Sequence, residues 1–259
     1  VLDITYKTPE KFESVVSASL MSADAYIGFG NKKFSWTNSF RYNNNRFLLN
    51  SLETSGEYRP NFTDYQTYFS YRPNSKWSFD IIGNYNSNHY NFYPKTRETT
   101  FGTMDNVKSF NVYFDGQEND IFKTTSATFG ITRQFSPISS ISLIASSFTS
   151  NEKEQYDIQS QYWLTQTESQ ENLGVGTFFE HARNYLKANV NILKLILKHN
   201  IDKHNIEAGI TLKDEHIKEY SNEYEMRDSS GYSIPHTGND LNMIYSLNAN
   251  NRINSRRIE

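Results

Sequence analysis

The chain contains no cysteine, so disulfide frameworks, thiolate zinc sites and cysteine nucleophiles are excluded together. It lacks any run of about 18 apolar residues, which rules out a membrane-spanning helix. Charge of one sign is also missing. Its 26 Lys and Arg stand against 29 Asp and Glu, a net charge of −3 that offers nucleic acid no basic field. Proline is scarce at six residues, and Pro9, Pro60, Pro73, Pro94, Pro137 and Pro235 all fall between proposed strands or at their ends, where a missing backbone donor costs no ladder bond. The opening Val1-Leu2 lacks an initiator Met and the basic and apolar regions of a secretion signal, and reads as a processed chain or a fragment.

What the sequence does contain is aromatic side chains, 18 Tyr, 18 Phe and 3 Trp, in a polar chain of mean hydropathy −0.72. Aromatic and Thr content favours strands, while Asn, Gly and Ser favour turns. Period-two alternation is clearest at 33–43, where Phe34, Trp36, Phe40 and Tyr42 alternate with Lys33, Ser35, Thr37, Ser39 and Arg41. It recurs with Tyr65, Phe69 and Tyr71, with Trp77, Phe79, Ile81 and Tyr85, with Ala127, Phe129 and Ile131, and with Ile206, Ala208, Ile210 and Leu212. At 139–150 it weakens, because Ile141 and Leu143 share one face while Ile144 and Phe148 sit on the other.

Two readings compete at 184–198. Leu186, Val190, Leu193 and Leu197 have helical spacing, whereas Leu186, Ala188, Val190 and Ile192 line one face of a strand. The strand is preferred because its neighbours are strands. About ten long strands are expected, near 11–19, 21–28, 33–43, 60–72, 76–89, 120–135, 139–152, 180–197, 204–219 and 239–251. Short connections (28–33, 72–76, 135–140, 198–205) alternate with long ones (44–59, 90–119, 151–173, 217–239), which puts short turns at one end of an antiparallel meander and long loops at the other.

An amphipathic strand needs its apolar face covered, by a second sheet or by lipid. Strands of about 9–11 residues suit a bilayer better than the 5–6 usual in a sandwich. Phe34, Tyr42, Tyr71, Trp77, Tyr85 and Phe135 lie near strand ends, where barrels carry interfacial aromatic girdles. The expected fold is therefore all-β, an antiparallel up-and-down meander forming part of a large transmembrane β-barrel. A soluble β-sandwich or propeller is the alternative.

The stretch VLDITYKTPEKFESVVSASL (1–20) resembles the junction in TonB-dependent outer-membrane receptors where the last plug strand runs through a Pro-containing link into the first barrel strand. Segments 41–50, 59–77, 101–103, 113–120, 176–190 and 224–235 are similar to barrel segments of the large receptors of Bacteroidota. The resemblance implies that residues 1–9 end a plug and that 10–259 supply part of a barrel of about 22 strands with a plugged lumen. It further implies an outer-membrane location and active uptake of a glycan, siderophore, haem or peptide. The implied partners are outer-membrane lipid, the TonB energy-transducing complex acting through a plug, and a surface lipoprotein. The coupling box, most of the plug and an aromatic-ended final strand do not occur, so the chain reads as a segment of a longer receptor. A soluble or surface-attached all-β binding module is the alternative function.

No motif marks a reaction, and neither enzymatic activity nor a cofactor is expected. Gly28-Phe-Gly30 and Gly174-Val-Gly176 lack the strand-to-helix setting of a phosphate loop and read as turn or bulge glycines. His199, Asp202 and His204 lack a further metal ligand at motif spacing and read as a solvated turn. Asp115, Glu118 and Asp120 could offer oxygens to calcium, but a hairpin built on Asp115-Gly116 is the simpler account. Glu215, Glu219, Glu223 and Glu225 are placed on a loop, where their spacing says nothing of the separation a glycosidase needs. Ligand contact is expected instead from long-loop residues Tyr58, Arg59, Tyr90, Tyr93, Tyr162 and Trp163, whose flat faces and hydrogen-bonding groups suit sugars, chelates or peptides.

Overall fold

Alternating side chains commit this chain to strands, and the backbone donors and acceptors of strands are satisfied only by neighbouring strands. The computed structural model describes residues 5–50, 56–103, 106–169, 171–201, 204–228 and 243–259, with 50, 171–175, 228 and 243–245 described by backbone alone. The elements are β1 (Glu13–Ala18), β2 (Ser22–Gly30), β3 (Phe34–Asn44), α1 (Arg46–Asn50), β4 (Gly56–Tyr58), β5 (Asn61–Asn74), β6 (Trp77–Pro94), β7 (Arg97–Thr103), β8 (Asn106–Ser136), β9 (Ser139–Gln166), β10 (Glu171–Ile201), β11 (His204–Asp228) and β12 (Met243–Ile258).

All pairings are antiparallel in one open sheet ordered β1-β2-β3-β5-β6-β8-β9-β10-β11-β12, with β4 added to β6 and β7 to β8. Each of the ten expected strands is present. Segment 184–198 lies inside β10, paired with β9 and β11 through Leu186, Val190, Leu193 and Leu197, so the strand reading holds. Among the described residues no strand packs face to face on another. Substantial packing is between hydrogen-bonded neighbours, plus α1 on β4.

The register assembles two apolar rows on one face. Phe34, Tyr71, Phe79, Ile131, Leu143, Leu195 and Ile210 follow one another across seven strands. The next row runs Phe29, Trp36, Phe69, Ile81, Phe129, Ala145, Leu193 and Leu212. The opposite face carries Ser35, Thr37, Ser70 and Ser150, all buried, together with the four buried apolar side chains Tyr68, Ile158, Ala182 and Ile196. Crowding on the polar face and openness on the apolar one mark the polar face as concave. Ile144 and Phe148, the residues that break the alternation of β9, point to that concave face.

Tight turns at 31–33, 75–76 and 137–138 close the short-connection end. Asn31 Oδ1 accepts from the backbone N–H of Lys33 at 2.8 Å, and Asn74 Oδ1 from that of Lys76 at 2.9 Å. A tight connection also occurs at the opposite end, where Ser19–Met21 joins β1 to β2, with Ser19 N–H donating to Ser22 O at 2.8 Å.

The long loops are where the structure corrects the sequence reading. Residues 90–119 and 151–173 are largely strand, the continuations of β6, β8, β9 and β10 with β7 alongside. Glu215, Glu219, Glu223 and Glu225 likewise lie on β11 and not on a loop. With 31 residues, β8 extends about 100 Å, several times the roughly 25 Å of a lipid-facing band. In these extensions apolar residues such as Phe110, Val112, Phe114 and Ile158 are interspersed with Asn, Gln, Ser and acidic residues, so no long continuous apolar row singles them out.

Asp115-Gly116 makes no hairpin. Gly116 sits inside β8 opposite Ile158 with φ +106°, and a Cβ there would meet the carbonyl oxygen of Asp157. Gly116→Ala is expected to lower stability by about 1–3 kcal/mol, because an L side chain resists this backbone. Gly130→Ala, with nothing closer to its Cβ than 3.9 Å, is expected to be near neutral. Urea unfolding midpoints of the two variants check the difference.

Candidate functional site

Four of the six sequence-nominated ligand residues meet where the short β4 pairs with β6. Tyr58 packs its ring 4.8 Å from Phe92 and 6.1 Å from Tyr90 on the concave side. Arg59 and Tyr93 lie on the other side, the guanidinium 4.6 Å from the ring centroid. Arg59 also binds Glu57 at 2.8 Å, and Arg46 binds the same carboxylate at 2.6 Å. The two cations, Arg59 foremost, hold the Glu57 carboxyl down to about 2. Tyr162 stands apart on β9, its ring against Gly176 and 6.3 Å from Phe110, while Trp163 alternates to the opposite face.

The concave face next to Tyr58 and Tyr90 carries a lane of carboxylates across β8 to β11. Register places Glu118 beside Tyr156, Ala182 and Glu223, with Asp120, Glu154 and Asn184 in the row toward the short turns. Glu180 and Glu225 form the row on the other side. Asn184 Nδ2 donates to Glu154 Oε2 at 3.1 Å and also to Glu223. Ser246 Oγ donates to Glu225 Oε2 at 3.2 Å. Burial, then the nearby charges of Asp120, Glu154 and Glu180, push the Glu118 carboxyl up to about 7. Tyr90 is pushed up to about 12 by burial and then by Glu118, and Tyr156 to about 12 by burial and then by Glu223.

Sequence reasoning named Glu118, Asp120, Glu223 and Glu225 in two unrelated segments but missed Glu154, Tyr156 and Glu180. The missed signal was period two itself, since Glu152, Glu154, Tyr156, Ile158, Ser160 and Tyr162 continue one face of β9. Asp115 falls on the other face. Glu215 and Glu219 lie on the concave face nearer the short turns, Glu215 bound to Lys213. Among the described residues, no three His, Cys, Asp or Glu side chains gather in a metal-holding group. His199 Nδ1 instead pairs with Ser139 Oγ at 2.7 Å, and Asp202 lies outside the described residues. Gly174 does mark a register shift in β10, as a bulge glycine should, whereas Gly28 and Gly30 lie within β2 beneath Pro9.

An aromatic and carboxylate surface of this kind offers flat faces for stacking and acceptors for hydroxyl or ammonium donors. No family model, curated protein or solved structure matches the chain.

A Glu118 carboxyl raised from 4.5 to about 7 binds more proton in the folded than in the unfolded state, so stability falls as pH rises through that interval. Thermal melts between pH 4.5 and 7 are expected to show this fall. In Glu118→Gln it should flatten.

Proposed function

We propose that this chain forms part of the wall of a large outer-membrane β-barrel of the TonB-dependent receptor type, which takes up a nutrient bound on the concave surface beyond the lipid-facing belt. The observation that carries the reading is the apolar face of a single-layer sheet with nothing packed on it among the described residues. Trp36, Ile81, Phe129 and Leu193, four members of one row, are each about 40% or more exposed. Water would not tolerate so broad an apolar face on a monomer, whereas lipid requires it.

The belt also drifts across the register, as tilted barrel strands demand. On β3, β5 and β6 it reaches Phe40, Tyr65 and Tyr85, a row that reads Thr149, Asn189 and His216 on β9 to β11. At the other end it runs on to Ile201 and Ile206 in β10 and β11, beyond where β3 stops at Phe34. A level membrane band crosses hydrogen-bonded rows obliquely when strands are staggered around a barrel. Polar groups within the belt pair with each other. Trp36 Nε1 donates to Thr67 Oγ1 at 2.8 Å, Tyr65 OH to Asn38 Oδ1 at 2.8 Å, and Ser147 Oγ to Asn191 Oδ1 at 2.8 Å. Tyr71, Phe79 and Trp77 stack as a girdle near the short turns, with Arg133 over Trp77 at 5.2 Å.

The segment before β1 supports the plug-link reading. Tyr6 stacks on Tyr68 at 4.7 Å, Gln66 Nε2 donates to Tyr6 OH at 3.2 Å, and Pro9 is buried against Gly28 and Gly30, all on the concave face. A chain leaving a lumen plug would cross this side of the wall. Strands beyond β1 and β12 would close both free edges, since an open edge is not viable in lipid. In the receptor family this fold is driven by an inner-membrane TonB complex through the plug and works with a surface lipoprotein, and both are partners in this proposal.

The chain is expected to stay in the outer-membrane fraction and to need detergent for extraction. Recovery in the aqueous phase would favour a soluble all-β binding module instead. Leu193→Arg, on the belt, is expected to cost about 2–4 kcal/mol of folding stability in bilayers, while Thr128→Lys, on the concave face, should cost less than about 1 kcal/mol. Equal costs for the two variants would refute a lipid-facing belt.

A further inference from the structure

Beyond the belt, toward the end carrying the long strand extensions, the convex face gathers cations. Lys123, Asn151, Lys187, Lys218 and Asn254 form one row, and Lys153, Tyr185, Tyr220 and Arg252 the next. The five cations line one shallow groove with Ile121, and Tyr185 and Tyr220 face each other across it at 6.1 Å. None of the five makes an ion pair among the described residues. The carboxylates nearest on this face are already engaged, Asp214 by Arg256 and Asp157 by His181 and Arg183. Glu152 and Glu219, adjacent in sequence, alternate to the concave side.

From this juxtaposition we propose that the groove binds the phosphates of a glycolipid headgroup in the outer leaflet, an inference that rests on the membrane reading above. Continuity with the belt supplies the first reason. A lipid whose chains lie on Phe129, Leu193 and Leu212 has its headgroup directed along the same strands toward Lys123, Lys187 and Lys218. Height supplies the second. Six residues separate each of these apolar side chains from the lysine on its strand, about 20 Å of strand, or roughly 14 Å of height at a 45° tilt. That exceeds the roughly 5–8 Å depth of a phospholipid interface and suits a phosphorylated saccharide standing above the acyl chains. Tyr185 and Tyr220 provide faces for the sugar rings, and Asn151 and Asn254 provide hydrogen-bonding amides.

The test uses the intact barrel that contains this chain, with both sheet edges closed, reconstituted in neutral phosphatidylcholine vesicles, to which phosphorylated lipopolysaccharide, its dephosphorylated form, or phosphatidylglycerol at equal charge is added. Binding is read from intrinsic tryptophan fluorescence. Preference for the phosphorylated lipopolysaccharide is expected, and in the triple variant Lys123→Gln, Lys187→Gln, Lys218→Gln it should weaken on the order of a hundredfold. Lys194→Gln, on the concave face, should leave binding unchanged. Insertion into the neutral vesicles is measured separately by protease protection. Failure to insert overturns the membrane reading and this inference with it. Insertion with equal binding of the dephosphorylated form or of phosphatidylglycerol, or an unaffected triple variant, overturns this inference alone.

Discussion

A sheet one layer thick with an apolar face must find something to cover that face. Among the described residues nothing does so, and the remaining features follow from that constraint. In water, Trp36, Ile81, Phe129, Leu193 and Leu212 would be driven onto a second sheet or a helix, because burying each side chain contributes about 1.5–3 kcal/mol. In hydrocarbon that drive disappears, and the dominant requirement becomes pairing of every backbone donor and acceptor. Long ladders running from β8 to β11, interrupted only by register shifts at Gln134/Ser136 and Asn172/Gly174, meet that requirement without any conventional core.

The two faces accordingly solve different problems. On the convex side, polar atoms inside the belt are matched with each other, as in Trp36 with Thr67 and Tyr65 with Asn38. The concave side is a wet and crowded wall of Ser, Thr, Asn and charged groups, including the bond from Tyr68 OH to Asp80 Oδ1 at 2.7 Å and the contacts from Gln66 through Asn84 to Ser126. Past the apolar rows, no continuous apolar face is kept. Carboxylates such as Glu118, Glu154 and Glu223 then collect on the concave face and Lys123, Lys187 and Lys218 on the convex one, so a single alternation produces two surfaces of opposite charge.

Much of the architecture was legible because the belt imposes period two. All ten long strands follow from runs such as Phe34-x-Trp36 and Ile206-x-Ala208-x-Ile210-x-Leu212, and the helical spacing at 184–198 yielded to the strand because β9 and β11 supply partners along its whole length. The long extensions were not legible. Residues 90–119 and 151–173 intersperse apolar residues such as Phe110, Phe114 and Ile158 among Asn, Gln and Glu, and that mixture looks the same as a loop. The same blindness hid the carboxylate lane. Glu118 was noticed for a calcium-like run and Glu223 for a cluster on a presumed loop, while their proximity depends on the pairing of β8, β9, β10 and β11. Four of the six nominated ligand residues do meet, but as two pairs on opposite faces, Tyr58 with Tyr90 and Arg59 with Tyr93, because β4 pairs with β6.

What this sequence determines by itself is local. Alternating polarity makes strands, Asn at turn starts makes tight hairpins, and proline is kept to strand ends and connections. These depend on residues a few positions apart. Register, and everything that register brings side by side, belongs to the tertiary structure. The drift of the belt, the carboxylate lane, the lysine groove and the crossing of Tyr6 and Pro9 over the concave face all join residues separated by tens of positions. Backbone hydrogen bonds align those residues through geometry that no single segment encodes.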